Sequence, residues 1–422
     1  MNTIFKKQLL EDLFRAYYDA RKKKRKTINS IRFEINLEKE IFKLYEDLLT
    51  GRYEIGKSIC FISFGSVRRE IFAADFRDRI VHHLIYNYIN PIFEKIFIND
   101  SYSCRIGKGT SYGTKRADHF IRSCSENYKK DCYILKLDIA GYFMSIDKSI
   151  LFEKIERVMK NHQNKSQFDV EWVLQLIRKV IFNDPTKDCI VRGKREDWVG
   201  LPKDKSLFFS GYGRGLPIGN LTSQLFANVY LGDFDNFVMR KLGCKYYGRY
   251  VDDILIIHRN REHLKSVIEP IRKYLSQDLH LSLHKKKIYL QHFSKGVDFL
   301  GSIIKPHRIY LRNRVKGKFF QRIRYWKFFL KKHKNVISKS DLVHLISCFN
   351  SYLGTMKSKK TFNLRREAAQ RIASFLRSIS FSCNSFEKIV LIKKIREKRR
   401  QGWGGGIIGA IFAPKPSFGN LA

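Results

Sequence analysis

The sequence predicts an α+β fold, and three observations carry that prediction. Segments near both ends repeat apolar residues at the helical period, while two short central segments alternate apolar and polar residues as half-buried strands do. The third is size: 422 residues, 44% of them apolar, can fill two or three packed units.

The elements follow in chain order. Leu9, Leu10, Leu13, Phe14 and Tyr17, then Leu37, Ile41, Leu44, Leu48 and Leu49, fall at helical spacing across residues 5–50. Between them, residues 21–26 are all Arg or Lys, a run that reads as a solvated face or as a phosphate contact. Residues 57–76 read as extended, with Ile59, Phe61, Ile62 and Phe64 ahead of Val67-Arg68-Arg69-Glu70-Ile71-Phe72. A helix is expected from about Phe76 to Phe97. Residues 132–138 form a strand that puts Lys136 and Asp138 on one side and Leu135 and Leu137 on the other. A strand pair over residues 246–257 sets Asp252 and Asp253 between Tyr246-Tyr247 and Ile254-Leu255-Ile256-Ile257. Acidic residues are thus expected where strands converge.

Residues 183–214 are rich in Asp, Lys, Gly and Pro and read as a loop or insertion, either a contact for RNA or a partner or a plain surface excursion. After Gly301 the chain reads as basic and helical, with one stripe of Phe319, Phe320, Ile323, Trp326 and Phe329 and another of Leu342, Leu345, Ile346 and Phe349. The last stretch carries a basic run at residues 393–400 and glycines at 402 and 404–406, which suits a nucleic-acid contact or a linker.

Charge narrows the partners. Lys and Arg number 82 against 40 Asp and Glu, a net +42 spread through every region, so a polyanion is expected. No run of about 18 apolar residues exists and the N-terminus lacks an apolar signal core, so no membrane partner is expected. The eight cysteines form no CxxC pair and have no histidines at zinc spacing, which fits reduced thiols in a cytoplasm. Asp138, Asp252 and Asp253 each follow or interrupt an apolar strand, where an uncompensated carboxylate is costly, so a cation is expected beside them. Two divalent ions about 3.5–4 Å apart, held by such carboxylates, are what phosphoryl transfer onto a 3′-hydroxyl requires. An Asp-Asp pair alone is a common feature of surface turns.

The context of that pair is more specific. Tyr250-Val251-Asp252-Asp253 resembles the YxDD box of reverse transcriptases, and Lys136-Leu137-Asp138-Ile139-Ala140-Gly141-Tyr142-Phe143 resembles the family's first palm box. Gly215-Leu216-Pro217-Ile218-Gly219-Asn220-Leu221-Thr222-Ser223-Gln224 is similar to the second. Four further boxes stand in the family's order: Arg68 and Arg69 before Ile71-Phe72-Ala73-Ala74, residues 103–110 with Arg105, Lys108 and Gly109, residues 283–287 with Lys287, and Val297-Asp298-Phe299-Leu300-Gly301. The resemblance covers about residues 20–375.

It implies a right-hand polymerase, with fingers and the start of the palm in residues 1–130, palm in 131–304 including the insertion 183–214, a helical thumb in 305–378, and a tail in 379–422. It also implies roles. Asp138, Asp252 and Asp253 hold two Mg²⁺ ions, with Mn²⁺ as a substitute, and Lys287 protonates the leaving pyrophosphate. Arg68, Arg69, Ile218, Gly219 and Gln224 meet the nucleotide, and Phe143 is the gate against a ribose 2′-hydroxyl. Arg105, Lys108 and Gly109 lie on the template side, and Phe299, Leu300 and Gly301 form the primer grip. The implied partners are template RNA, its cDNA product and dNTPs.

One departure from the family pattern is informative. Many members end the second palm box in Ser-Pro; here it ends in Ser223-Gln224, an ending characteristic of diversity-generating retroelements. That branch implies an error-prone enzyme in the cytoplasm of a bacterial host, working with a basic accessory protein oligomer or another protein partner. An antiphage defence enzyme copying a noncoding RNA is the alternative, with retron and group II intron enzymes more distant. An idle RNA-binding scaffold would not need to retain all three aspartates.

Overall fold

The structure, a computed structural model, describes residues 3–391 apart from 23, 25, 26, 65–67, 334–336, 358, 377, 378 and 382–384. The basic run at 393–400, the glycines after it, Cys383, Val67 and three residues of the 21–26 run lie outside the described residues. Two compact units result, Met1–Gln291 and His292–Ala422. The division falls earlier than residue 304, where the sequence places the end of the palm.

The first unit opens with three helices, α1 (Thr3–Arg21), α2 (Ile28–Ile35) and α3 (Leu37–Leu49). Leu9, Leu13, Tyr17, Ile41, Leu44 and Leu48 are buried, as their helical spacing requires. Strands β1 (Ser58–Phe64) and β2 (Arg68–Ala73) pair antiparallel. Helix α4 (Phe76–Ile96) begins where the Asp75 carboxylate accepts from the Arg77 amide, and α5 (Thr110–Cys124) follows.

The central sheet then forms from β3 (Tyr133–Asp138), which leads into the short α6 (Tyr142–Ser145), α7 (Lys148–Asn161) and α8 (Val170–Phe182). Aspartates cap both long helices: Asp147 accepts from Ser149 and Ile150, and Asp169 from Trp172. After the insertion, which contributes β4 (Cys189–Val191), come α9 (Leu221–Tyr230), α10 (Gly232–Asn236), β5 (Tyr246–Tyr250), β6 (Asp253–His258), α11 (Arg261–Ser266), α12 (Ile268–Gln277) and β7 (Tyr289–His292). The sheet order is β5-β6-β3-β7, so β3, bearing Asp138, lies directly against β6, bearing Asp253.

The insertion is not a loose excursion. Its β4 adds parallel to β1, and the buried Glu70 carboxylate of β2 accepts from Trp198 Nε1, Ser206 Oγ and the Leu207 amide at 2.8, 2.8 and 2.6 Å. Three donors on one buried carboxylate pin the segment to the β1–β2 hairpin.

The second unit corrects the expectation that the chain turns helical straight after Gly301. A meander of β8 (Val297–Phe299), β9 (Ser302–Lys305) and β10 (Arg308–Leu311) comes first. Strands of three or four residues are too short to show a period in sequence. Then α13 (Asn313–Lys332), α14 (Lys339–Lys357) and α15 (Phe362–Ala373) pack around Phe319, Ile323, Trp326, Leu345, Phe349 and Ile372, followed by the hairpin of β11 (Ile379–Phe381) and β12 (Ile389–Leu391). Among the described residues no helix is long and apolar enough to cross a membrane, and the seven cysteines are free.

Candidate active site

The site is built on the end of the central sheet. Tyr250 of β5 stands opposite Asp253 of β6, leaving Val251 and Asp252 as a two-residue turn, and Asp253 also stands opposite Asp138 of β3. The register alone therefore brings the three aspartates to one strand end.

The turn is strained. Val251 has φ +56°, a left-handed conformation that a β-branched residue adopts at a cost. Two hydrogen bonds hold it: Arg249 Nη1 donates to the Val251 carbonyl at 2.9 Å, and the Ile139 amide donates to the Asp252 carbonyl at 3.3 Å.

Arg249 itself is wholly buried, its Nε and Nη2 each 2.7 Å from the two oxygens of Asp235 on α10, which also accepts from Tyr247 Oη at 2.5 Å. A buried bidentate pair has one geometry, so it fixes the arginine that props the turn. Backbone bonds of Arg249 to Asp100 and Tyr102 tie in the loop after α4, and the Tyr102 ring crosses β5 so closely that a Cβ at Gly248 would lie 2.2 Å from its hydroxyl. This prop was not anticipated from sequence.

Lysines neutralise the outer carboxylates. Lys287 Nζ is 2.7 Å from Asp138 Oδ1 and Lys136 Nζ is 3.1 Å from Asp253 Oδ1. Of the three adjoining lysines at 285–287, it is Lys287 that pairs with Asp138, carried there by the His284 amide bonding the Asp138 carbonyl at 2.8 Å. Burial, then the charges of Asp253 and Asp138, push the Asp252 carboxyl up to about 6. Among the described residues no three His, Cys, Asp or Glu side chains form a ready-made metal cluster. Asp138 and Asp253 are instead paired with ammonium groups, and the chemistry of the set, three crowded hard-oxygen donors with one carboxyl pushed toward its neutral form, suits a divalent cation.

Phe143 and Ile218 both pack on the small cluster of Cys60, Phe72, Met144 and Leu207. The Leu216 amide donates to the Phe143 carbonyl and the Phe72 amide to the Ile218 carbonyl, both at 2.8 Å, so the second palm box is laced to α6 on one side and to β2 on the other. Gly219, at φ +134°, presses on β2: a Cβ there would stand 2.8 Å from the Phe72 carbonyl oxygen. Gln224 is exposed on α9 while Ser223 beside it is buried.

Arg68 and Arg69 differ from each other. Arg68 Nη1 donates to the Val199 carbonyl of the insertion, whereas the Arg69 side chain is exposed, makes no hydrogen bond or ion pair among the described residues, and acts electrostatically on the Tyr250 phenol.

Arg105 is spent within the fold. It is 9% exposed and donates to both oxygens of Glu94 and to the Ile98 and Ser101 carbonyls, a structural tie from this loop to α4. Lys108 Nζ bonds Asn99, and Gly109 at φ +119° starts α5. In the second unit Phe299 is buried, and Leu300 and Gly301, at φ +50° and +77°, form the two-residue turn between β8 and β9.

The chain is 22% identical over 308 residues to protein YkfC of Escherichia coli K12, covering 65% of this chain and 73% of that protein. It is 23% identical over 328 residues to the mitochondrial nuclear intron maturase 1 of Arabidopsis thaliana, covering 61% and 44%. Among solved structures, telomerase from Candida tropicalis, apo and truncated from its C-terminal domain, aligns with a TM-score of 0.44 at 14% identity, over 64% of this chain and 59% of that one. Residues 57–304 match the family model of the reverse transcriptase, an RNA-dependent DNA polymerase, and the chain belongs to that family.

Proposed function

We propose that the protein synthesises cDNA on a dedicated RNA template as the error-prone polymerase of a diversity-generating retroelement, in the cytoplasm of a bacterial host. The observation that carries the polymerase reading is the register that sets Asp138, Asp252 and Asp253 at one strand end with Lys287 bonded to the first of them.

Bound there, two Mg²⁺ ions, or Mn²⁺ in their place, would activate the primer 3′-hydroxyl and steady the triphosphate. The chain's own groups do the rest. Arg69, with its donors uncommitted, takes the triphosphate through its planar fork. Lys287 gives up its pairing with Asp138 and delivers a proton to the leaving pyrophosphate. Phe143 closes the space beside the sugar against a 2′-hydroxyl, and Ile218 and Gly219 set the floor on which the templating base pair lies. Gln224, exposed at the end of the box, meets the nucleotide, and Arg69 and Ile218 are the residues that set fidelity. The loop carrying Arg105, Lys108 and Gly109 shapes the template side, and the β8–β9 turn of Phe299, Leu300 and Gly301 is the primer grip.

The Ser223-Gln224 ending supports the retroelement assignment, and the charge of +42 supports an RNA template and a nucleoprotein setting in which a basic accessory oligomer joins through RNA. Sequencing the RNA that co-purifies with the protein, together with the cDNA made from it, tests this. Changes concentrated at template adenines of a repeat-type RNA are expected. Invariant or repetitive products from a structured noncoding RNA would overturn the retroelement assignment in favour of antiphage defence.

A further inference from the structure

The β2-β1-β4 sheet has an open edge that the polymerase chemistry does not use. Strand β4 pairs with β1 on one side, and among the described residues no strand pairs with its other side. Its backbone faces outward at alternate residues. The Arg192 amide donates to the Cys60 carbonyl at 2.8 Å, and Ile190 stands opposite Ile59 in parallel register. Because peptide groups alternate along a strand, Ile190 and Arg192 turn theirs toward β1, while Cys189 and Val191 turn theirs away from it. Proteins ordinarily blunt such an edge with charge, proline or a bulge. At the middle of this one stand Ile190 and Val191, both apolar and β-branched, and 55% and 56% exposed.

The residues around that middle are self-complementary. The segment reads Asp188-Cys189-Ile190-Val191-Arg192. An antiparallel copy centred on Ile190 sets Ile190 against its own counterpart, Cys189 against Val191, and Asp188 against Arg192. Cys189 and Val191 are the two residues whose amides and carbonyls point outward, so in this register each exchanges both backbone bonds with the other. Asp188 and Arg192 then fall in the closer, non-hydrogen-bonded pairs, opposite charges facing each other on both sides of the axis. Both side chains are exposed, and the Arg192 guanidinium has no hydrogen-bond or ion-pair partner among the described residues. Asp188 holds Lys57 Nζ at 2.9 Å, and a carboxylate can accept from a second cation as well.

We propose that β4 is a homodimerisation edge, on which a second copy of this chain lays its own β4 antiparallel and joins the two sheets in the order β2-β1-β4-β4-β1-β2. The inference rests on the register and the charges of this edge and is independent of the polymerase reading. The ladder is short, so the dimer is a weak, concentration-dependent one.

Sedimentation velocity of nucleic-acid-free protein over a concentration series, together with disulfide trapping, tests this. Wild type should shift from monomer to dimer as concentration rises. Val191→Pro removes an outward amide and none that β1 uses, so it should abolish the shift at an unchanged melting temperature. Arg192→Asp places like charges opposite each other and should weaken association about tenfold, and Asp188→Arg/Arg192→Asp, which restores opposite charges, should recover it. Under a mild oxidant Ile190→Cys should form an intermolecular disulfide, because its counterpart lies directly across the axis. Val199→Cys, at a position 69% exposed on the insertion outside β4, should not. A monomer at every concentration would overturn the proposal. A dimer that Val191→Pro leaves intact, or that Arg192→Asp leaves intact where the proline variant is less stable, would also overturn it by placing association on another surface.

Discussion

Two antiparallel hairpins bring charged residues toward the candidate site, and they hold those residues in opposite ways. In β5–β6, Arg249 is wholly buried and four of its contacts, to Asp235, Val251, Asp100 and Tyr102, are made inside the protein. In β1–β2, the Arg69 side chain is exposed and its guanidinium has no partner among the described residues. The difference matches what each is asked to do. Groups that hold carboxylates at fixed positions gain from being built in before substrate arrives, because no reorganisation is then needed during reaction. A group that must grip an incoming anion needs its donors free until that moment. A fixed floor and an open fingers strand therefore make different predictions.

The largest effect is expected on the floor. Asp235→Asn leaves a buried guanidinium unbalanced and should cost about 3–5 kcal/mol in denaturant unfolding. Asp235→Leu/Arg249→Met should recover most of that stability, since an apolar pair replaces an ionic one, but without the bond to the Val251 carbonyl its kcat should stay well below wild type while KM moves little. Full recovery of kcat would mean that the pair only fills space.

Next in size is the charge that the floor confines. Because the folded protein holds the Asp252 proton up to about pH 6 while an unfolded chain releases it near 4, the metal-free fold is favoured below pH 4 and loses stability as pH rises through 6. Asp252→Asn should therefore stabilise the metal-free protein by about 3 kcal/mol at pH 8 and by little at pH 4, read as melting temperature in chelator. An equal effect at both pH values would contradict the burial argument.

Phe143 lies where floor and fingers meet. Phe143→Ala should reduce the preference for deoxynucleotides over ribonucleotides roughly ten- to thirtyfold, about 1.4–2 kcal/mol, and unchanged sugar discrimination would remove it from the gate. The smallest change falls on the open side. Arg69→Gln should raise KM for dNTPs about tenfold, some 1.4 kcal/mol, with no shift in melting temperature, because nothing within the fold depends on it. A lowered melting temperature would show that Arg69 is built in after all.

These contrasts also mark what was legible in the sequence. Asp138, Asp252 and Asp253 could be read because each interrupts a strand within a few residues, and their convergence follows from pairing that alternation announces. Lys287 could be read only as one of three, since which lysine reaches Asp138 depends on a backbone bond from His284. Arg105 carried the right motif, but its guanidinium is consumed by Glu94, Ile98 and Ser101, a fact of chain path rather than of spacing. Asp235 gave no signal: it lies on α10, fourteen residues from the arginine it fixes, in a segment that otherwise reads as ordinary helix. The strands β8–β10 and β4 escaped because three or four residues are too few to display a period.

Extension of a DNA primer on an RNA template, with Mg²⁺ and dNTPs, compares wild type with Asp252→Ala/Asp253→Ala most directly. Extension by wild type and none by the variant, with both proteins folded and binding RNA alike, is the predicted result; equal extension by the two would contradict it.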